Sequence, residues 1–309
     1  LSTDKINALS AEQFNAFTAA QVKTLTVGQV SNLDDEIIQG LGSDEITAFT
    51  AAQLKALTPT QMGKFSAEQI AMFSAEADNN QIASLSAAQI GALSGDQVTG
   101  FTATQIGKFS AAQVAGLTAT QAPSLTTEQV GAMSDVQVAA ITTAAFAKLS
   151  TDVIADLKTT VTGSQKLSQI QALTVGQIGV MDEGQIQALT TGEDGQIATF
   201  APKQIVAFSK DQLNKMSTEQ IGSITTAQIA LMTFTGDTGQ INNLNSDLVA
   251  ALSEAQVSAL SDKQVASLSE TQLAAMGTAQ LAAINNKDLA GLSTDKINAL
   301  SAEQFNAFT

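Results

Sequence analysis

The sequence predicts an all-α protein: an α-solenoid of very short capped helices, one per eight-residue repeat. Three observations carry that expectation. Leucine or phenylalanine recurs every eight residues, at Leu1, Leu9, Phe17, Leu25, Leu33, Leu41, Phe49, Leu57, Phe65 and Phe73, usually with Ser or Thr behind it. The octad then reads [Leu/Phe]–[Ser/Thr]–x–x–Gln–[Ile/Val]–x–[Ala/Gly], numbered 1 to 8 below. Clear copies are LSAEQFNA at 9–16, FTAAQVKT at 17–24, FSAAQVAG at 109–116 and LSDKQVAS at 260–267. Finally, LSTDKINALSAEQFNAFT at 1–18 returns letter for letter at 292–309, a long period of 291 residues.

One continuous helix cannot carry this pattern. Eight residues at about 100° each overshoot two turns by about 80°, so the apolar positions would spiral around the cylinder. Each octad must contain a break. Ser/Thr at position 2 and Gln at position 5 form the capping box that marks one, with the hydroxyl accepting the N–H three residues on and the Gln reaching back. A helix therefore starts at position 3 and lasts less than two turns. Pro59 and Pro202 fall at that first helical position, where a missing N–H costs nothing. Acids gather at positions 3 and 4 (Glu12, Glu68, Asp96, Glu128, Glu219, Glu254, Asp262), where the helix dipole favours negative charge. Pro123, at position 7, is expected to distort its own unit.

Helices this short are unstable alone, because nucleation is never repaid. Positions 1 and 6 must be buried against neighbouring octads, each large side chain contributing about 1.5–3 kcal/mol. Ala or Gly at position 8 lets the small helices approach closely. The alternative is a β-solenoid with stacked Gln ladders. It calls for alternating apolar residues and fixed Gly, Asn or Asp corners, whereas here position 6 and the next position 1 are three apart.

The chain reads as one continuous solenoid over 1–309, with 1–291 a long-period unit and 292–309 the start of the next. The octad slips near 74–84, 158–172, 190–199 and 233–243, where loops are expected. Three of these carry oxygen-rich turns, with Asp78, Glu193, Asp194 and Asp237 the candidate calcium ligands. Each turn offers at most two carboxylates and none matches an EF-hand, so plain solvated turns are the favoured reading over calcium sites.

Composition excludes other classes. Arg, His, Cys, Trp and Tyr are absent, and 14 Lys face 29 acids for a net charge of −15. That balance offers no basic surface for nucleic acid and is repelled by anionic lipid. Without Cys or His there is no thiolate, usual zinc site or imidazole base. No apolar run approaches the roughly 20 residues of a membrane span. Ser and Thr at position 2 are accounted for as caps, Asp34, Asp35 and Glu36 as a solvated first helical turn, and Met62, Met72, Met133, Met181, Met216, Met232 and Met276, mostly at positions 1 or 6, as core. An enzyme is not expected, and no cofactor beyond the calcium alternative.

The octad LSxxQIxALT resembles repeats of very large secreted bacterial adhesin-like and filament-forming proteins, and covers nearly the whole chain. The resemblance implies an exported, cell-surface role as stalk, spacer or filament body, with the chain itself as partner through repeat stacking. It equally admits an adhesin-type module recognising a glycan, calcium or a host protein. A haem role sometimes attached to such proteins finds no His, Tyr or Cys to serve as axial ligand.

Overall fold

The computed structural model describes residues 1–161, 165–289 and 291–308. Among them the chain is all-helical, with no strand, and its α-helices run for only four to six residues each. The β-solenoid alternative has no support. The residues divide into two compact units, Leu1–Leu157 with Gly163–Ala172, and Lys158–Thr162 with Leu173–Thr309.

Each helix starts where the capping box places it. In the helix Ala67–Ala71, Ser66 is extended (φ −77°, ψ 166°), its Oγ accepts from the Gln69 N–H, and Gln69 accepts from the Ser66 N–H. The same reciprocal pair opens Ala51–Ala56, Ala103–Gly107, Glu254–Ser258 and many others. Pro59 is the first residue of Pro59–Met62, and Pro202 begins a 3₁₀ turn, Pro202–Ala207. Pro123 removes the α-helix from its octad, leaving only the 3₁₀ turn Ala122–Ser124. A proline there cannot donate the N–H that a continuing helix needs.

Within each unit, the third helix along returns to pack on the first. Ala19–Thr24 meets Ser43–Ala48, Ala51–Ala56 meets Gln81–Ser84, and Ser246–Ala250 meets Glu270–Ala275. Positions 1 and 6 fill the core between them, as Leu57, Met62, Phe65, Ile70 and Phe73 illustrate, all at most 3 % exposed. Successive position-1 phenylalanines stack edge to face, with Phe65–Phe73, Phe101–Phe109 and Phe200–Phe208 centroids 5.1–5.3 Å apart. That is the arrangement the ring quadrupole favours. Met62, Met133, Met181, Met216, Met232 and Met276 are buried, whereas Met72 at position 8 is partly exposed.

Position 8 lies against position 3 of the octad three earlier. A Cβ built on Gly116 would sit 2.6 Å from the Ala87 carbonyl oxygen and 2.8 Å from its Cα. Where both residues reach solvent instead, an ion pair takes the same place: Lys64 with Asp35 at 2.7 Å, and Lys215 with Glu183 at 2.9 Å. Exposed pairs of this kind contribute little. The close backbone approach matters more. Replacing Gly116 by Val is expected to destabilise the chain by about 1–3 kcal/mol through overpacking, read as a lower midpoint in urea unfolding. Val at the exposed Gly222, which has nothing within 4 Å of its would-be Cβ, should cost clearly less.

Candidate functional site

The most distinctive chemistry is a buried column of glutamines. Position 5 is 0–9 % exposed at Gln53, Gln89, Gln137, Gln228 and their equivalents. A buried primary amide must satisfy one acceptor and two donors. In Gln137 the Oε1 accepts from the Ser134 N–H at 2.7 Å, closing the capping box. Its Nε2 donates to the carbonyls of Ile106 and Phe109, both at 2.8 Å. Those acceptors are positions 6 and 1 of earlier octads, the end of one small helix and the residue just beyond it. Helix ends leave such carbonyls without partners. In an uninterrupted octad the ladder Gln therefore caps the start of its own helix and the end of another.

The offset of these bonds is a ruler. Over uninterrupted sequence it is 28 and 31 residues, as from Gln113 to Leu85 and Ile82. Across 74–84, where Phe73 to Leu85 takes twelve residues instead of eight, Gln89 reaches Leu57 and Leu54 at 32 and 35. Across the eleven-residue step from Leu189 to Phe200, Gln220 reaches Leu189 and Ile186 at 31 and 34. Across the sixteen residues from Leu157 to Leu173, Gln169 reaches Met133 and Val130 at 36 and 39. Each offset grows by the number of inserted residues, so the ladder keeps its partners.

The insertions enter between the hydroxyl and the glutamine. Gln81 accepts from the Ser74 N–H at 2.6 Å, and Gln240 from the Thr233 N–H at 3.0 Å, each across seven residues rather than three. Gln196 and Thr190 close a full box across six. Gly192 (φ 93°) and Gly236 (φ 61°) make the sharp turns, the only positive-φ residues among those described. In the 158–172 slip, residues 162–164 lie outside the described residues.

Asp78 and Asp237 occupy exposed 3₁₀ turns, Ala77–Asn79 and Gly236–Thr238, while Glu193 and Asp194 lie exposed in the turn before Gln196–Thr199. Among the described residues no three acidic, His or Cys side chains gather to hold a metal ion. Elsewhere, Glu68 and Glu128 are held below the usual carboxylate range, first by their own backbone N–H and then by the hydroxyls of Ser66 and Thr126. Their folded-state preference for ionisation operates above the unfolded pKa and fades as pH falls through the lowered one.

Sequence reasoning gave the glutamine only its local box and missed its two donors. A carboxylate would close a capping box equally well, so near-exclusive Gln over Glu at position 5 was the available signal. Also missed was a substitute where position 5 is Ile37, Glu45 or Leu248. There an Asn at position 7, four octads earlier, takes over. Asn7 accepts from the Asp34 N–H at 3.3 Å and donates to the Asn32 carbonyl at 2.6 Å. Asn15 does the same for Gly42 and Gly40, and Asn214 for Asn245 and Asn243.

Comparison with protein-family models and with curated proteins returns no match for this chain. The ladder itself predicts two stability effects. Gln137→Leu keeps the volume but strands the Ser134 N–H and the Phe109 carbonyl and takes one of two donors from the Ile106 carbonyl, so a loss of about 2–3 kcal/mol is expected, measured by urea unfolding. At position 5 of its octad, Asp288 is 2 % exposed and its Oδ2 has no hydrogen-bond partner among the described residues. By the ladder offset a Gln there faces the Val257 and Leu260 carbonyls, so Asp288→Gln should stabilise by about 1–2 kcal/mol, seen as a raised melting temperature.

Proposed function

We propose that this chain is a structural segment, a stalk, spacer or filament body, of a large extracellular tandem-repeat protein, built as an α-solenoid. The observation that carries this reading is the ladder's constant register. A fixed pairing of octad with octad that absorbs insertions of three, four and eight residues is what a coil of regular turns requires, and a globule with one centre does not. In a solenoid each repeat contacts only its neighbours, so length adds without limit. The surface agrees with that role. A net charge of −15 with Lys as the sole cation keeps neighbouring fibres apart and in solution.

Among the described residues the chemistry is spent on structure. Hydroxyls at position 2 are engaged as caps, and amides at position 5 as ties. No helix among them is long and apolar enough to cross a membrane. The adhesin-type alternative draws on one observation. Shallow polar grooves border the 190–195 turn, lined by Thr190, Thr191, Lys215, Ser217 and Glu219, where a glycan hydroxyl would find donors and acceptors.

Small-angle X-ray scattering tests the spacer reading. A continuous coil at three octads to a turn has about twelve turns, and at a spacing of about 8–10 Å it is expected to scatter as a rod roughly 110 Å long with a radius of gyration near 30 Å. A compact chain of this length has about 19 Å, and that value would overturn the proposal. On cells bearing the parent protein, micrographs should show thin continuous fibres. Discrete beads that bind only when glycan is present would favour the adhesin.

A further inference from the structure

Inside the first compact unit the glutamine ladder lacks two adjacent rungs. Across the three octads 109–132, Gln113, Gln121 and Gln129 each tie back to two carbonyls of earlier octads. Across the next three, 133–156, only Gln137 does so. Position 5 of the other two is Ala145 and Val153, buried at 0 % and 1 % exposure and with nothing to donate. Thr142 and Ser150 still accept from the N–H three residues on, so both short helices start on time. The return half of the box and the tie to the earlier octads are gone. Among the described residues no donor reaches the Leu117 and Leu125 carbonyls, and no acceptor meets the Thr142 and Ser150 N–H groups. The asparagine substitute is missing as well, because position 7 four octads earlier is Ala115 and Pro123.

We infer that residues 133–156 form a yielding joint, which parts from 102–125 before the rest of its unit opens and lets a loaded chain lengthen there first. Ile141, Phe146, Leu149 and Ile154 are all at most 4 % exposed, so the joint is closed at rest. What holds it is mainly apolar packing, which is non-directional. Parting there breaks one amide tie instead of three, and it admits water to four backbone groups that have no partner in the closed form. Local openings concentrate where few buried bonds resist them. The changed octads at Ile37 and Glu45 differ, since Asn7 and Asn15 each supply an acceptor and a donor there. Fully extended, the twenty-four residues 133–156 span about 80 Å. The load-bearing role rests on the spacer reading, in which tension runs along the chain, whereas the missing rungs do not depend on it.

Native-state hydrogen exchange on the full chain tests the joint without any substitution. The Phe146 and Ile154 N–H groups donate to the Thr142 and Ser150 carbonyls, and the Val114 and Val130 N–H groups make the same bond in tied octads. Protection of the first pair should be at least about tenfold lower. Ala145→Gln with Val153→Gln restores both rungs and should raise it at least about tenfold, whereas Ala144→Gln, at an exposed neighbouring site, should not. Gln89→Ala with Gln97→Val copies the gap into 85–108 and should lower protection of the Ile90 and Val98 N–H groups to match. In optical tweezers, the chain pulled from its two ends should first give a reversible extension of about 80 Å, at a force that rises in the restored variant. Uniform protection across 109–156 overturns the inference, as does a copied gap without effect, or a first extension indifferent to the restored rungs. Should the restored variant misfold, the copied gap decides. A rod by scattering with uniform protection removes the joint alone. A compact chain by scattering removes the load-bearing role together with the spacer reading.

Discussion

One primary amide, repeated along the chain, ties most of these helices to one another. A helix of four to six residues forms too few internal bonds to offset its nucleation cost, and most of its polar backbone groups are end groups. The hydroxyl and the glutamine oxygen satisfy the donors at one end. The glutamine nitrogen satisfies acceptors at the end of another helix 28 to 31 residues away. Remove the nitrogen and the Phe109 carbonyl is buried without a partner, while the Ile106 carbonyl is left with only the Phe109 N–H. Apolar burial of positions 1 and 6 supplies the driving force, but it is non-directional. The amide sets which octad meets which.

That division of labour explains which variations the chain contains. Residues are added between cap hydroxyl and glutamine, where the 74–84, 190–199 and 233–243 slips all fall, because a turn there lengthens the path without moving either end of the box. Three of the changes at position 5, at Ile37, Glu45 and Leu248, are accompanied by help from elsewhere. Asn7, Asn15 and Asn214 reach the orphaned cap N–H from an earlier octad. Lys296, which can donate but cannot accept, keeps one tie to the Ala266 carbonyl and gives up the box.

Local features of this fold were legible because their partners are close in sequence. Ser66 and Gln69 are three apart, Pro59 sits at a helix start, and the Leu/Phe spacing names the core without any knowledge of the turn. The long-range half was hidden. The donors of Gln53 point to Leu25 and Val22, and no periodicity within an octad reveals that the relevant neighbour lies so far back. Nothing within its own octad marks Asn7 either, since its partners Asn32 and Asp34 lie 25 and 27 residues on. The acidic turns at Asp78, Glu193, Asp194 and Asp237 were conspicuous by composition, yet residue type alone does not say whether carboxylates from different turns converge.

The tie between helices is uncharged. Amide and carbonyl neither gain nor lose protons across the range in which carboxylates and lysines titrate, and mobile ions that weaken attraction between exposed charges have little purchase on a dipole sealed from water. Brine, fresh water and mild acid thus leave the cross-links alone and change only the outer coat of acids. A fold held in this manner keeps its cohesion through wide swings of salt and acidity.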